Sequence, residues 1–345
     1  MHKHLVSILI PAYNAAATIG ETLQSALAQT WPHKEIIVVD DGSKDATVAV
    51  AREFGANVRV AAVANQGAAA ARNHALSLSQ GDFIQWLDAD DILAPDKIER
   101  QIQALPESDG ASTLLSSPWA PFYYRTRRAK FIQNALCQDL APTEWLLRKM
   151  SHNLHMQTAT WLTSRKLAEA AGPWDTRLSF DDDGEYFCRV LLASKGVRYV
   201  AGTGVFYRIS PSNRLSYIGS SDKKRDSMVT SMKLHIQYLR SLEESERVRM
   251  ASLTYLQNWY PAFYPDRPDI MADLLQLAVS LGGQLSNPQL GRKYRWMEPF
   301  IGSKKAREAQ AILPQIKSSL LRGVDRVAYR VEARSNQRMR SPYYV

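Results

Sequence analysis

Val6-Ser7-Ile8-Leu9-Ile10-Pro11-Ala12-Tyr13-Asn14, close to the start of a 345-residue chain, is a continuous apolar run that stops at a polar turn. An unbroken run of this kind predicts a strand buried on both faces. Outward from it the pattern repeats. Thr18-Ile19-Gly20-Glu21 has capping-box spacing, and Ile19, Leu23 and Leu27 recur at helical intervals. Residues 36–39 predict a second buried strand, ending on Asp40-Asp41-Gly42-Ser43, and a helix follows over 45–54. Residues 58–63 predict a third strand, 67–79 an Ala-rich helix and 83–87 a fourth strand. Buried strands alternating with helices imply an α/β fold, a Rossmann-like, mostly parallel central sheet flanked by helices. Such sheets bind ligands beyond the C-terminal ends of their strands. Pro11-Ala12-Tyr13-Asn14, Asp40-Asp41-Gly42-Ser43 and Asp88-Ala89-Asp90-Asp91 all fall there.

The middle of the chain is less regular. Residues 120–124 and 156–162 read as strands, and 165–171 as a short helix ended by Gly172-Pro173. Phe180-Asp181-Asp182-Asp183-Gly184-Glu185 is a second acidic cluster, leading into a helix whose apolar face is Tyr186, Phe187, Val190 and Leu191. Residues 197–200 and 205–209 read as closing strands. Beyond 220 the pattern is helical, broken by Pro261, Pro265 and Pro268. The expected division is a catalytic domain over 1–218, with halves 1–100 and 101–218, and a helical C-terminal extension over 219–345 with a basic tail.

Hydrophobic content of 45% and charged content of 22% are ordinary for a globular protein. Cys137 and Cys188 offer neither a disulfide framework nor metal-ligand spacing, which fits a reducing compartment. Met1-His2-Lys3-His4-Leu5 runs into the first strand without the apolar core of a signal peptide. No apolar stretch approaches the roughly 20 residues that span a bilayer. The expected location is the cytoplasm, either free or peripheral at the inner face of the cell membrane. The net charge of +9 is concentrated at the end, where residues 301–345 hold ten Lys/Arg against three acids. Arg322, Arg326, Arg330, Arg334 and Arg338 recur every four residues, with Leu320, Leu321, Val324, Val327 and Val331 largely between them. Two readings stand: a membrane-surface helix, or the solvated face of a docked one. No recognition motif accompanies the charge, so nucleic acid is not an expected partner.

Asp88 and Asp90, one residue apart at a strand end, can both turn toward a hard divalent ion that also bridges phosphate oxygens. Asp91 reads as a cap for the helix that follows. Tyr13 offers a stacking face for a nucleobase, and Pro11 reads either as a wall for it or as loop packing. Asp41 is an acceptor suited to the N3–H of a uracil, while Asp40 is as well placed to hold turn amides, and Gly42 is expected at positive φ. Arg72 can reach phosphates or pair with a strand-end Asp.

Taken in order, Val6 to Asn14, Ile36-Ile37-Val38-Val39-Asp40-Asp41-Gly42-Ser43, Asn65-Gln66-Gly67 with Ala71-Arg72-Asn73, and Leu87-Asp88-Ala89-Asp90-Asp91 strongly resemble the family 2 glycosyltransferases. The resemblance is strong over residues 5–100, weaker over 155–210 and absent beyond 220. It implies the GT-A fold, a nucleotide-diphosphate sugar as donor, UDP-sugar by default, and inversion at the transferred carbon. It also implies Mn²⁺ or Mg²⁺, with Asp90, the last Asp of the Asp-x-Asp motif, as the metal ligand and Asp88 close to the ribose or to a metal-bound water. Family members carry Glu-Asp just before a helix, eight residues after a Gly-Phe-Asp-like turn. Counting from Asp175 in Gly172-Pro173-Trp174-Asp175 reaches Asp183, which becomes the base, with Asp182 second and Asp181 a third candidate. Glu185 fits a helix-start carboxylate. Trp161 and Trp174 are either stacking platforms for the acceptor or core.

One departure matters here. Many relatives have a His after the last strand, and Tyr207-Arg208-Ile209-Ser210-Pro211-Ser212-Asn213-Arg214-Leu215-Ser216 has none, leaving Arg208 and Arg214 to meet the diphosphate from a mobile loop. His152 and His155 lack ligand spacing and read as structural. The expected activity is glycosyl transfer to a hydroxyl on a glycan or lipid-linked acceptor, in bacterial cell-surface polysaccharide or glycolipid synthesis. A nucleotidyltransferase would want a Gly-rich loop where Pro11-Ala12-Tyr13-Asn14 has no glycine. An inactive nucleotide-sugar binder would have lost carboxylates that are present here.

Overall fold

The structure, a computed structural model, describes residues 4–108, 110–209, 218 and 221–339. The chain opens with β1 (Val6–Ala12), α1 (Ile19–Leu27), β2 (Lys34–Asp40), α2 (Thr47–Arg52), β3 (Arg59–Ala62), α3 (Ala68–Leu78) and β4 (Phe83–Trp86). It continues through β5 (Ile92–Leu93), α4 (Lys97–Gln103), β6 (Thr113–Ser116), β7 (Trp119–Phe122), α5 (Pro142–Ser151), β8 (Thr163–Ser164) and α6 (Arg165–Ala171). Next come α7 (Asp182–Ala193), β9 (Gly196–Tyr199) and β10 (Val205–Arg208). The extension is helical: α8 (Asp222–Leu242), α9 (Glu246–Trp259), α10 (Pro268–Ser280), α11 (Arg292–Arg295) and α12 (Glu298–Met339), the last kinked at Gly302.

The main sheet has the order β3-β2-β1-β4-β8, parallel except where β8 runs against β4. Every residue of β1 is buried, as a strand with neighbours on both sides and helices against the sheet requires. Strand order reverses between β1 and β4, the position where sheets of this kind open a ligand crevice. β4 stays beside β1 only from Val6 to Leu9, while β2 follows it to Ala12. Pro11 therefore falls where one side of β1 has no ladder to interrupt, which is where a strand tolerates proline.

A second sheet, β5-β10-β7, and the pair β6–β9 build the other half. Helices α8 to α10 belong to the same hydrophobic core, to which they contribute Met228, Met232, Val248, Tyr255, Leu256 and Leu274. Helix α12 is docked through Asp325 and Glu332. Asp325 accepts the amides of Tyr124 and Arg125 at 2.9 and 3.2 Å and Arg125 Nε at 2.6 Å, and Glu332 accepts Arg125 Nη1 at 2.7 Å. Its exposed residues include Leu320, Val324, Val327, Val331, Arg326 and Arg330. The side chains of Arg334 and Arg338 lie outside the described residues, as does Arg214. Among the described residues no helix is long and apolar enough to cross a membrane.

Three local expectations are corrected. Residues 156–162 do not form a strand: the chain makes a 3-10 turn at Thr158–Thr160 and only then pairs as β8. The capping box at Thr18 is not formed. The Thr18 hydroxyl donates to the carbonyl of Ala89 at 3.0 Å and Glu21 accepts Arg208 at 2.6 Å, so the first ties the start of α1 to the loop after β4 and the second ties α1 to β10. Pro11 lies inside β1, and only Tyr13 projects beyond it, half-exposed.

Candidate active site

The loop after β4 carries Asp88, Asp90 and Asp91, and α3 stands beside it with Arg72. The buried Arg72 guanidinium donates from Nη2 to Asp88 Oδ1 at 2.9 Å and from Nη1 to Asp182 Oδ2 at 2.8 Å. One cation thus joins the two acidic clusters, so Arg72 takes the second of its two expected roles, a pair with a strand-end Asp. The guanidinium also lies 4.4 Å over the Trp174 ring, which stacks on Tyr186 at 4.1 Å. Trp174 is core. The neighbouring Asn73 clamps the Trp174 backbone, donating to its carbonyl at 2.9 Å and accepting its amide at 2.8 Å. That clamp fixes the turn before α7 against α3.

Burial pushes the Asp182 carboxyl up to about 6; Arg72 opposes the shift and the charges of Asp183 and Asp88 add to it. Asp183 is placed differently. Its Oδ2 accepts the Thr158 hydroxyl at 2.9 Å, and it lines a cavity of about 480 Å³ whose wall also includes Asp88 and Asp181. Asp181 is held in the left-handed region (φ 58°) and accepts the Ser231 hydroxyl from α8. A Cβ at residue 184 would sit 2.2 Å from Asp181 Oδ1, so any larger residue there would displace the Asp181 carboxylate. Glu185 is buried behind this edge, paired with Arg189 and accepting the Tyr238 hydroxyl at 2.7 Å.

Aromatic side chains form much of the cavity: Trp119, Trp145, Trp161, Tyr207, Tyr255 and Trp259. Trp161 lines the cavity while stacking on Phe187, and so is both core and wall. His155 also reaches the lining, a placement its lack of ligand spacing does not foretell. Tyr255 and Trp259 come from α9, and Lys149 from α5. All three are missed by motif reading, because only tertiary packing brings them to this wall. Trp145 and Lys149, four residues apart on one amphipathic helix, are the single local hint.

At the crevice itself, Asp41 is nearly buried and already occupied. Oδ1 accepts the amide of Gln66 at 2.8 Å, and Oδ2 accepts the Gly67 amide at 2.9 Å and Asn65 Nδ2 at 3.0 Å. The amide-holding role expected of Asp40 is shared, since Asp40 Oδ2 takes only the Ser43 amide at 3.0 Å. Gly42 has φ 73°, and a Cβ there would lie 2.9 Å from the Asn65 amide nitrogen.

Asp91 is not a helix cap; Asp96 occupies that position before α4. Asp91 is fully buried and accepts the Arg208 amide at 2.8 Å and the Gln157 side-chain amide. Burial first, then the charges of Asp90 and Asp88, drive its pKa well above the usual carboxylate range. Arg208 is likewise no phosphate ligand on a mobile loop. It ends β10, buried, with Nε 2.8 Å from the Asp90 carbonyl, Nη2 on Glu21 and its guanidinium 4.6 Å over Phe122. Asp90 remains at the turn, half-buried. Among the described residues no three His, Cys, Asp or Glu side chains gather into a protein-only metal cage. Asp88 and Asp90 instead fit the pattern of one or two carboxylates completed by substrate phosphates. The negative charge felt by Asp91 shows how concentrated that corner is.

Residues 7–157 match the family model described as "Glycosyl transferase family 2". An uncharacterized glycosyltransferase of Rickettsia typhi is 31% identical over 193 residues, 56% of this chain and 60% of that protein. The Escherichia coli UDP-Glc:alpha-D-GlcNAc-diphosphoundecaprenol beta-1,3-glucosyltransferase WfgD is 43% identical over 108 residues, 30% of this chain and 42% of that protein. The chain thus matches less than two thirds of the length of either relative. Among solved structures, S. aureus TarS 1-349 in complex with UDP-GlcNAc aligns with a TM-score of 0.64 at 16% identity, over 80% of this chain and 81% of that one. The mannosyltransferase PcManGT from Pyrobaculum calidifontis, in complex with GDP-Man and Mn2+, aligns at 0.53 and 18% identity, over 90% and 87%. At these identities the likeness concerns the fold, which is GT-A. Over residues 7–157, somewhat under half of its length, the chain is thus similar to glycosyl transferase family 2.

Proposed function

We propose that this chain is an inverting, metal-assisted glycosyltransferase that moves a sugar from a UDP-sugar to a hydroxyl of a glycan or lipid-linked acceptor, in the synthesis of a bacterial cell-surface polysaccharide or glycolipid. The observation that carries this is the Arg72 bridge. It commits Asp182 and one oxygen of Asp88 to a shared cation and leaves Asp183 facing the cavity. Two carboxylates of the second cluster are thereby given different work.

The donor occupies the crevice beyond β1, β2 and β4. Tyr13 stacks on the base with Pro11 behind it, and Asp41 presents its remaining lone pairs to the base edge. Asp90, with Asp88 beside it, would hold Mn²⁺ or Mg²⁺. Bound there, a divalent ion neutralises the charge that develops on the diphosphate as it leaves. Arg72 keeps Asp88 aimed at that position. The acceptor enters the aromatic cavity, and Asp183, oriented by Thr158, takes the proton of its attacking hydroxyl. The name of the E. coli relative, with UDP-Glc and a diphosphoundecaprenol-linked GlcNAc, supports the donor and acceptor classes.

Residues 1–218 form the catalytic unit in this proposal, and the extension 219–345 closes the acceptor wall through Tyr255 and Trp259. The outer face of α12 fits the inner surface of the cell membrane: Asp325 and Glu332 turn inward while Lys317, Arg326 and Arg330 are exposed beside its aliphatic stripe. The decisive experiment is UDP release with a panel of UDP-sugars, Mn²⁺ and a diphosphoundecaprenol-linked sugar, with the product anomer read by NMR. Retained anomeric configuration, or no turnover with any donor, would sink the proposal.

A further inference from the structure

Lys149 is only 6% exposed, yet it lines the cavity that also holds Asp183. Its ammonium lies 5.3 Å from the centre of the Tyr255 ring. Among the described residues no carboxylate or carbonyl stands within hydrogen-bond distance of that ammonium. A buried ammonium that no carboxylate contacts directly is costly, and one aromatic face offsets only part of the cost. The other buried lysine, Lys97, differs: it donates to Gln85 Oε1 and is satisfied inside the core. Lys149 is instead a nearly buried cation at the wall of the cavity, open to a direct partner from whatever fills that space.

We propose that Lys149 is an anion subsite, and that the sugar of the acceptor carries an oxyanion, either a carboxylate or a phosphate, that pairs with it. This rests on the assignment of the aromatic cavity as the acceptor site. The walls suit a pyranose, whose C–H face packs on Trp119, Trp145 or Trp161, while a single charged group fixes its register. The carboxylates sort the ends. Asp181 is engaged by Ser231, and Asp183 repels an anion but accepts a hydroxyl proton. An acidic acceptor is thus oriented with its anion on Lys149 and its nucleophilic hydroxyl toward Asp183. Specificity of this kind is a difference between affinities, and here it comes from leaving a buried charge unpaired whenever a neutral sugar binds.

The test is titration of the full chain, followed by tryptophan fluorescence since several tryptophans line the cavity, with methyl glucuronide, glucose 6-phosphate, methyl glucoside and inorganic phosphate. One of the two acidic sugars is expected to bind about tenfold tighter than methyl glucoside, and which one does so separates the carboxylate from the phosphate. Lys149→Met should remove the preference and Lys149→Arg should keep it. Equal affinities for acidic and neutral sugars, no saturable change with any of them, or a preference that survives in Lys149→Met would overturn the proposal. Inorganic phosphate binding as tightly as glucose 6-phosphate would overturn it too, because the sugar would then contribute nothing. Should Lys149→Met fail to fold, the wild-type comparison and Lys149→Arg still decide. Thermal stabilisation by UDP with Mn²⁺ on the same preparation keeps two failures apart. Stabilisation without an acidic preference removes only the anion subsite, whereas no stabilisation removes the glycosyltransferase proposal itself.

Discussion

Arg72 and Asp182 are 110 residues apart in sequence, and their side chains meet at 2.8 Å. That contact separates two adjacent carboxylates that are hard to tell apart by spacing alone. Asp183→Asn is expected to lower transfer by about 100-fold or more, the usual scale for losing a general base, while donor binding is unchanged. Asp182→Asn should retain most of the turnover. Steady-state rates with UDP-sugar, alongside calorimetric UDP affinity, distinguish the two, and the opposite ranking would move the base to Asp182.

Burial of Asp182, only partly offset by that contact, predicts a pH dependence. Asp182 titrates near 6 in the folded chain, above the ordinary value of 3.8, so the folded state holds its proton more tightly than the unfolded one. Stability contributed by this group is therefore present at low pH and is lost as pH rises through that window. Melting temperatures measured from pH 4 to 7 should fall less for Asp182→Asn than for the wild type. Parallel curves would show that Asp182 is not perturbed.

Arg72→Met leaves Asp88 and Asp182 side by side without their cation. Breaking a largely buried pair in this way costs about 3 kcal/mol or more. Chemical denaturation should show a loss on this scale, and Asp182→Asn in the Arg72→Met background should recover part of it. No recovery would mean that the arginine acts mainly through its packing on Trp174.

Asp90→Ala should abolish the Mn²⁺-dependent part of UDP stabilisation in a thermal-shift assay and leave the apo melting temperature close to wild type. The loop backbone is held independently by Thr18, which bonds the Ala89 carbonyl, and by Arg208, which bonds the Asp90 carbonyl. A large apo destabilisation would argue for a structural carboxylate instead.

For α12, co-sedimentation with phosphatidylglycerol vesicles is expected, with little binding to phosphatidylcholine. The double variant Arg326→Glu, Arg330→Glu should reduce binding by about 30-fold or more, given roughly 1 kcal/mol for each basic residue at an anionic surface. Equal binding to both vesicle types would exclude the electrostatic contribution.

Much of the fold is legible in the sequence because β1, β2 and β4 are buried on both faces and announce themselves as apolar runs. Strands β5, β6 and β8 have two to four residues and are too short to show a period. The site divides in the same way. Asp88, Asp90 and the triple Asp181-Asp182-Asp183 can be located from local pattern, since acids at strand ends and helix starts are locally conspicuous. What they do to one another is not local. Asp91 looks like a cap until β10 arrives with the Arg208 amide, and Arg208 looks mobile until Glu21 and the Asp90 carbonyl claim it. Lys149, Tyr255 and Trp259 carry no motif, because their shared wall exists only once α5 and α9 pack together.

Glu21 serves two partners. Oε2 accepts Arg208, which in turn holds the Asp90 carbonyl, and Oε1 accepts the Tyr329 hydroxyl of α12 at 3.3 Å. A helix at the far end of the chain and the turn proposed to carry the metal are therefore both steadied by one carboxylate. Pulling α12 away from its seat would withdraw a hydrogen bond from the group that anchors Arg208, so occupancy of the outer surface and stiffness of the donor loop are mechanically coupled through a single side chain.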